Sequence, residues 1–200
     1  MSYLEAYCRF AEGEAGLDEA GRGCLAGPVM AAAVILPSDA DHPLLNDSKK
    51  LNESQRMLLR TWVKATAVAW AVGEASAEEI DQINILNASF LAMHRALDKL
   101  GVEPRLLLVD GNRFKAYGQL PHHCVVGGDG RYRSIAAASI LAKTERDLFM
   151  QSLHPQFEAY HWDRNKGYPT LMHKKAIASH GYTCWHRKTF NAAIQLELGL

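Results

Sequence analysis

An α/β domain with a helical C-terminal extension is the fold this sequence predicts. Short apolar runs that suit strands alternate with longer stretches of helical periodicity, and two of the latter open with capping-box signals. Hydrophobic residues make up 48% of the 200-residue chain and charged residues 22%, enough apolar material to bury a core and too much for a disordered chain. Pro155, Gly167 and Pro169 punctuate a late loop. Residues 1–168 are therefore read as the α/β domain and residues 169–200 as the helical extension packed on it.

Taken in order, residues 12–17 make a poor hydrophobic strand, interrupted by Glu12, Glu14 and Gly16. Residues 29–36 form an apolar run closed by Pro37, and its length predicts a buried strand. A polar loop over residues 38–50 follows. Asn52 and Gln55 have capping-box spacing ahead of Leu58, Leu59, Trp62 and Val63, which share one helical face. A short strand is expected over residues 68–72. Ser76 and Glu79 repeat the capping box and open a helix that ends near Gly101, with Leu91, His94, Leu97 and Leu100 along one face. The run of residues 106–109 reads as a strand ending on Asp110-Gly111, and residues 124–126 as another. Residues 134–153 read as a long helix, and the remainder as helical with a break at Gly181.

Lys plus Arg and Asp plus Glu are both 22, so a chain that is cationic all over is excluded. The balance is uneven, however. Arg164, Lys166, Lys174, Lys175, Arg187 and Lys188 face only Asp163 within residues 161–190, which allows a local anion-binding face. No window reaches the ~18 apolar residues of a spanning helix, and the opening decapeptide carries Glu5 and Arg9 without an apolar signal core. A cytoplasmic protein with no membrane role is the expectation. Cys8, Cys24, Cys124 and Cys184 are scattered without a C-x-x-C pair, so free thiols are expected and a zinc site is not.

The densest chemistry is Asp18-Glu19-Ala20-Gly21-Arg22-Gly23-Cys24-Leu25-Ala26-Gly27-Pro28. Adjacent carboxylates supply hard oxygen ligands for Mg²⁺ or Mn²⁺, and the glycines let backbone N–H groups approach an anionic oxygen. Because successive strand side chains point to opposite faces, both acids can serve one site only if the strand ends or twists there. Gly21-x-Gly23-x-x-Ala26, with Asp39 and Asp41 downstream, also matches a dinucleotide fingerprint, but it runs into Gly27-Pro28 instead of opening a helix. Asp110 closes a buried strand, the place where open α/β sheets bind ligands. Asp129, in Gly127-Gly128-Asp129-Gly130, is a candidate fourth acid, with a plain turn residue as the alternative. Gathered by folding, these acids would suit two divalent ions in line with a phosphodiester. Asn165-Lys166-Gly167-Tyr168-Pro169 adds a cation and an aromatic ring able to stack on a sugar or base.

Together these segments resemble the ribonuclease HII family, the type 2 ribonucleases H of bacteria. The likeness is carried by Leu17-Asp18-Glu19-Ala20-Gly21-Arg22-Gly23-Cys24-Leu25-Ala26-Gly27-Pro28-Val29 and by Asn46-Asp47-Ser48-Lys49-Lys50-Leu51. It continues through Val109-Asp110-Gly111-Asn112, Gly128-Asp129, Ser134-Ile135-Ala136-Ala137-Ala138-Ser139-Ile140-Leu141-Ala142-Lys143 and Lys166-Gly167-Tyr168. The resemblance implies a ribonuclease H-like fold, a mixed central sheet flanked by helices. It implies cleavage of RNA in RNA–DNA hybrids and 5′ of single ribonucleotides embedded in duplex DNA, leaving 5′-phosphate and 3′-hydroxyl ends. Carried over residue by residue, Asp18, Glu19, Asp110 and Asp129 become the catalytic acids and ligands of a two-metal Mg²⁺ or Mn²⁺ site. Gly21, Arg22 and Gly23 would read the ribose 2′-OH and adjacent phosphate, and Tyr168 would pack on the sugar. Ser48, Lys49 and Lys166 would make further backbone or phosphate contacts, as would the other late cations on the duplex.

Departures from the family pattern and competing readings complete the picture. The polar stretch before Asp18 departs from the family's apolar strand. Asp147, four residues after Lys143, is read as a structural ion-pair partner. His122 and His123 are read as loop residues, and His161, His173, His180 and His186 as surface or DNA-facing positions. The ending Gln195-Leu196-Glu197-Leu198-Gly199-Leu200 resembles a sliding-clamp-binding peptide with Gly199 in place of the usual aromatic. A weak clamp contact competes there with the plainer reading, the apolar end of the last helix. A monomer is expected. The competing functions are a type 3-like enzyme restricted to continuous hybrids and a catalytically silent hybrid-binding module.

Overall fold

The computed structural model describes residues 4–192 apart from 47, 49 and 50. Strands β1 (Glu14–Ala20), β2 (Val29–Ile35), β3 (Ala69–Ala75), β4 (Leu106–Asp110) and β5 (His122–Val125) form one sheet in the order β3-β2-β1-β4-β5. The β3–β2 and β2–β1 pairs are antiparallel, whereas β1–β4 and β4–β5 are parallel. Helices α1 (Glu53–Thr66), α2 (Ala77–Asp98), α3 (Arg133–Leu153), α4 (Trp162–Asn165) and α5 (Leu171–His180) surround it. The mixed α/β architecture is the one expected. No helix among the described residues is long and apolar enough to cross a membrane.

The central strand is the first correction. The stretch that reads as a poor strand is β1, which pairs on both edges and runs through both acids to Ala20. Its polar entry has a local reason. Glu14 is buried, but its carboxylate accepts the backbone N–H groups of Cys8, Arg9 and Phe10 at 2.6–2.7 Å. A buried charge so bonded is tolerated, and it ties the N-terminal turn to the sheet. Gly16 is dictated by close approach: a Cβ there would lie 2.1 Å from the Ser134 carbonyl carbon at the start of α3.

Small side chains set the layers. On one face Ala15, Leu17, Ala31 and Ala33 pack with Ala88, Ala92, Met93 and Ala96 of α2. On the other, Ala20, Ala32 and Val34 pack with Ala136, Ala137, Ile140 and Leu141 of α3 and with Leu59 and Val63 of α1. Both capping boxes form, Asn52 with Gln55 and Ser76 with Glu79. The helical faces differ in detail. Leu58 is half-exposed, and His94 sits beside the buried stripe of α2, bonded to the Lys115 carbonyl at 2.8 Å. Asn84, at φ +65°, breaks α2 and caps its second half by accepting the N–H groups of Leu86 and Asn87.

His122 and His123 lie in the edge strand β5, not in a loop. Residues 182–192 contain no helix, and the clamp-like peptide lies outside the described residues. His173 and His186 are also corrected, being buried and not at the surface. Thr183 N–H donates to His186 Nδ1 at 2.9 Å, which leaves the proton on Nε2, facing His173 Nε2 at 3.2 Å. That acceptor also takes Trp162 Nε1–H, and His173 Nδ1–H donates to the Tyr168 carbonyl at 2.9 Å. Buried as neutral rings, the pair joins residues 182–186 to the loop that holds Tyr168.

Candidate active site

Strand geometry brings the acids together. In the parallel β1–β4 pair, Leu17 lies opposite Val109, so Asp18 and Asp110 follow at the same, carboxyl end of adjacent strands. The strand does not stop between Asp18 and Glu19. It ends one residue later at Ala20, and Gly21 turns the chain at φ +94°. Asp18, Glu19 and Asp110 line one open cleft of about 320 Å³, together with Gly21, Arg22 and Gly23. Tyr168 and Ser48 close its rim.

Asp18 is the buried acid. Its Oδ1 accepts the Glu19 N–H at 2.7 Å, and Ser139 from α3 hydrogen-bonds its side chain. Burial raises its pKa well above the usual carboxylate range, and the negative charges of Glu19 and Asp110 raise it further. Glu19 is held by Arg22, Nη1 to Oε1 at 3.0 Å. Asp110 Oδ1 accepts the N–H of Gly128 at 2.7 Å, which draws the Gly128–Gly130 turn against the end of β4. Asp129 sits buried in that turn, beside the cleft but outside its lining.

Among the described residues, no three carboxylates, imidazoles or thiolates are already gathered tightly enough to hold an ion. The donor set nonetheless fits a divalent cation. Its ligands are hard oxygens, and Asp18 is a carboxyl whose charged form is disfavoured first by burial and then by its acidic neighbours. A dication among them would reverse that penalty.

The lining continues from the acids into the loop that follows them, Gly21 to Gly23. Gly21 has no room for a side chain, since a Cβ would lie 2.0 Å from Arg146 Nε. Gly23 faces open space. Tyr168 lines the same cleft, with Lys143 Nζ over its ring at 5.2 Å from the centroid, and its hydroxyl meets the buried Cys24 thiol. Burial pushes the tyrosine pKa up to about 12, so the hydroxyl stays protonated.

Sequence reasoning missed Arg56, Ser139 and Lys143, all of which line the cleft. Ser139 and Lys143 were findable as an i, i+4 pair on one face of α3. Arg56 carried no such signal, being the fourth residue of a helix read only for its apolar face. It is bonded to the carbonyls of Ser48 and Leu51. Ser48 reaches the site through its hydroxyl, 2.9 Å from that of Ser139. Lys166 does not line the cleft: it adopts φ +50°, and its buried ammonium turns to the Asp163 carbonyl. Lys49 lies outside the described residues. Asp147 pairs with Lys143 at 2.7 Å, in the structural role expected of it.

A family model described as Ribonuclease HII matches residues 15–193. Ribonuclease HII of Bacteroides fragilis is 65% identical over 178 residues, 89% of either chain. Among solved structures, the ribonuclease HII bound to PCNA from Archaeoglobus fulgidus superposes with a TM-score of 0.71 at 24% identity, covering 92% of this chain and 98% of that one. The Bst ribonuclease HIII in complex with Mn²⁺ gives a TM-score of 0.73 at 19% identity, covering 96% of this chain and 71% of that one. At these identities the two structures establish the shared ribonuclease H fold.

Proposed function

The chain belongs to the ribonuclease HII family and is a ribonuclease H, and from that premise we propose that it cuts the strand 5′ of ribonucleotides in duplex DNA and within RNA–DNA hybrids. The observation that carries this reading is the convergence of Asp18, Glu19 and Asp110 on one cleft faced by the Gly21, Arg22 and Gly23 backbone. Asp18, Glu19, Asp110 and the neighbouring Asp129 would hold two Mg²⁺ or Mn²⁺ ions. Such ions, when bound, supply an activated water and charge stabilisation at the leaving 3′ oxygen.

The chain's own groups do the recognition. The loop presents N–H groups where the ribose 2′-OH and its phosphate approach, and the absence of a Cβ at Gly23 keeps that approach open. Tyr168 offers a ring for the sugar, with its protonated hydroxyl held by Cys24. Lys143 and Arg56 bring positive charge to the cleft for the phosphate backbone. Arg22, paired with Glu19 at 3.0 Å, would be available to the substrate phosphate when that carboxylate holds a cation.

The deciding experiment is cleavage of a labelled duplex carrying one ribonucleotide, with Mg²⁺, Mn²⁺ or chelator, beside Asp110→Asn. A metal-dependent cut 5′ of the ribonucleotide, lost in the variant, is expected. Cleavage confined to long RNA tracts would substitute the type 3-like specificity, and tight hybrid binding without any cut would leave a silent module. The relative's complex with PCNA makes a sliding clamp the protein partner to test, using the C-terminal peptide.

A further inference from the structure

Two arginines hold the substrate-facing loop from behind. Arg146 of α3 and Arg187, beyond α5, are both fully buried. Neither forms an ion pair with a carboxylate among the described residues. Arg146 instead donates from Nε to Pro28 O, from Nη2 to Ala26 O and from Nη1 to Lys166 O, each at 2.9 Å. Arg187 donates from Nε and Nη2 to Gly27 O at 3.0 and 2.9 Å, and from Nη1 to Arg22 O at 2.9 Å.

Burying a guanidinium against neutral carbonyls is costly, and filling a hole would be done at lower cost by an apolar side chain. What the two forks achieve is orientation. They pull the carbonyl oxygens of Arg22, Ala26, Gly27 and Pro28 to the inner side of the loop. The N–H groups of Arg22 and Gly23, in turn, meet no backbone carbonyl among the described residues. Successive N–H groups left without a backbone acceptor, with positive charge beside them, can form an anion-binding concavity. Arg187 is itself fixed on two sides. Its own N–H bonds Leu25 O at 2.8 Å, while Asp81 of α2 accepts the N–H groups of Lys188 and Thr189 at 2.8 and 3.0 Å.

We propose that Arg187, backed by Arg146, is a positioning residue for ribonucleotide recognition: its fork spans the Arg22 and Gly27 carbonyls and so presents the opposite edge of the loop to the substrate's sugar and phosphate. The inference rests on the loop being the ribonucleotide sensor, as proposed above. Lysine at this position keeps the charge but cannot span two carbonyls with a planar fork.

The test is steady-state cleavage of the single-ribonucleotide duplex by Arg187→Lys, Asp81→Asn and Gly23→Ala, with folding checked by circular dichroism and binding measured on an all-DNA duplex. Arg187→Lys is expected to raise KM about tenfold, roughly the worth of one charge-assisted hydrogen bond, with all-DNA binding unchanged. A folded Arg187→Lys with wild-type KM, whatever its kcat, overturns the proposal, because a purely structural loss lowers the active fraction and leaves KM alone. If Arg187→Lys does not fold, Asp81→Asn decides. It loosens the residues after Arg187 from outside, and a raised KM supports the proposal while an unchanged one overturns it. Gly23→Ala adds a methyl on the open side. If it cleaves as well as wild type, the loop is not the sensor and the underlying reading fails. If it is impaired while the arginine variant is normal, only the present inference fails.

Discussion

The same change, glycine to alanine, should have opposite consequences at two positions seven residues apart. At Gly16 a Cβ would stand 2.1 Å from the Ser134 carbonyl carbon, 2.3 Å from its oxygen and 2.4 Å from the Ile135 nitrogen. Non-bonded heavy atoms rest at about 3.5–4.0 Å, so β1 and α3 would have to part by about 1.5 Å. All the opposing atoms are backbone, and none can rotate away. Overpacking costs about 1–3 kcal/mol, and a clash with the rigid Ser134–Ile135 peptide unit belongs at the upper end, about 3 kcal/mol. With a urea m value of about 2 kcal/mol/M, the midpoint should fall by about 1.5 M, and Tm by about 6–12 °C. At Gly23 a Cβ meets nothing within 4 Å, so Gly23→Ala should melt within about 0.5 kcal/mol of wild type. Its kcat/KM on the single-ribonucleotide duplex should nevertheless fall at least about tenfold. Paired urea melts and cleavage assays read both. Equal midpoints for the two variants would refute the packing argument, and a fully active Gly23→Ala would refute the recognition argument.

Three further outcomes follow from the geometry. Asp110→Asn keeps an oxygen for the Gly128 N–H but removes a charge that opposes Asp18 ionisation, so activity should drop at least about 10²-fold while Tm holds or rises; a large loss of Tm alongside activity would contradict this. Burial, then the neighbouring His173, lowers the His186 pKa to about 4, so the fold holds a neutral ring that the unfolded chain protonates near 6.5. Stability is therefore complete above pH 6.5 and drains away as pH falls, by about 3 kcal/mol near pH 4, and His186→Gln should flatten that slope in urea melts taken from pH 7 to 4. Asn84→Ala removes the cap on Leu86 and Asn87 at a left-handed position and should cost about 2 kcal/mol, whereas Asn84→Gly, which relieves φ, should cost less; the reverse order by thermal melting would contradict it.

What could be read from the chain were the features whose causes are local. Both capping boxes are three-residue devices, and both form. Asp110 was visible because four apolar residues precede it and a glycine follows. Asp18 and Glu19 announced themselves by the glycines after them. The failures have causes elsewhere in the chain. Glu14 reads as a strand breaker until the turn at Cys8 to Phe10 supplies its N–H groups. Lys166 reads as a cation for substrate until its left-handed backbone turns it to Asp163. His173 and His186 find each other through rings and turns that no spacing rule relates. Arg146 and Arg187 reach the carbonyls of Arg22, Ala26, Gly27 and Pro28 from 118–165 residues away, a separation at which a one-dimensional pattern holds no information.

That last separation also has a meaning in time. Arg187 supports Gly27 from 160 residues downstream. A ribosome adding about 5–20 residues per second needs about 8–30 s to bridge that interval. Throughout it, the acids of β1 and the loop after them are already made, but the clamp behind the loop does not yet exist. A chain interrupted before Arg187 would carry the acidic residues without the arginine fork behind the loop, so under the proposed roles the cutting groups and the recognition edge would mature at different moments. On the role proposed for Arg187, selectivity would be completed only once residue 187 has been made.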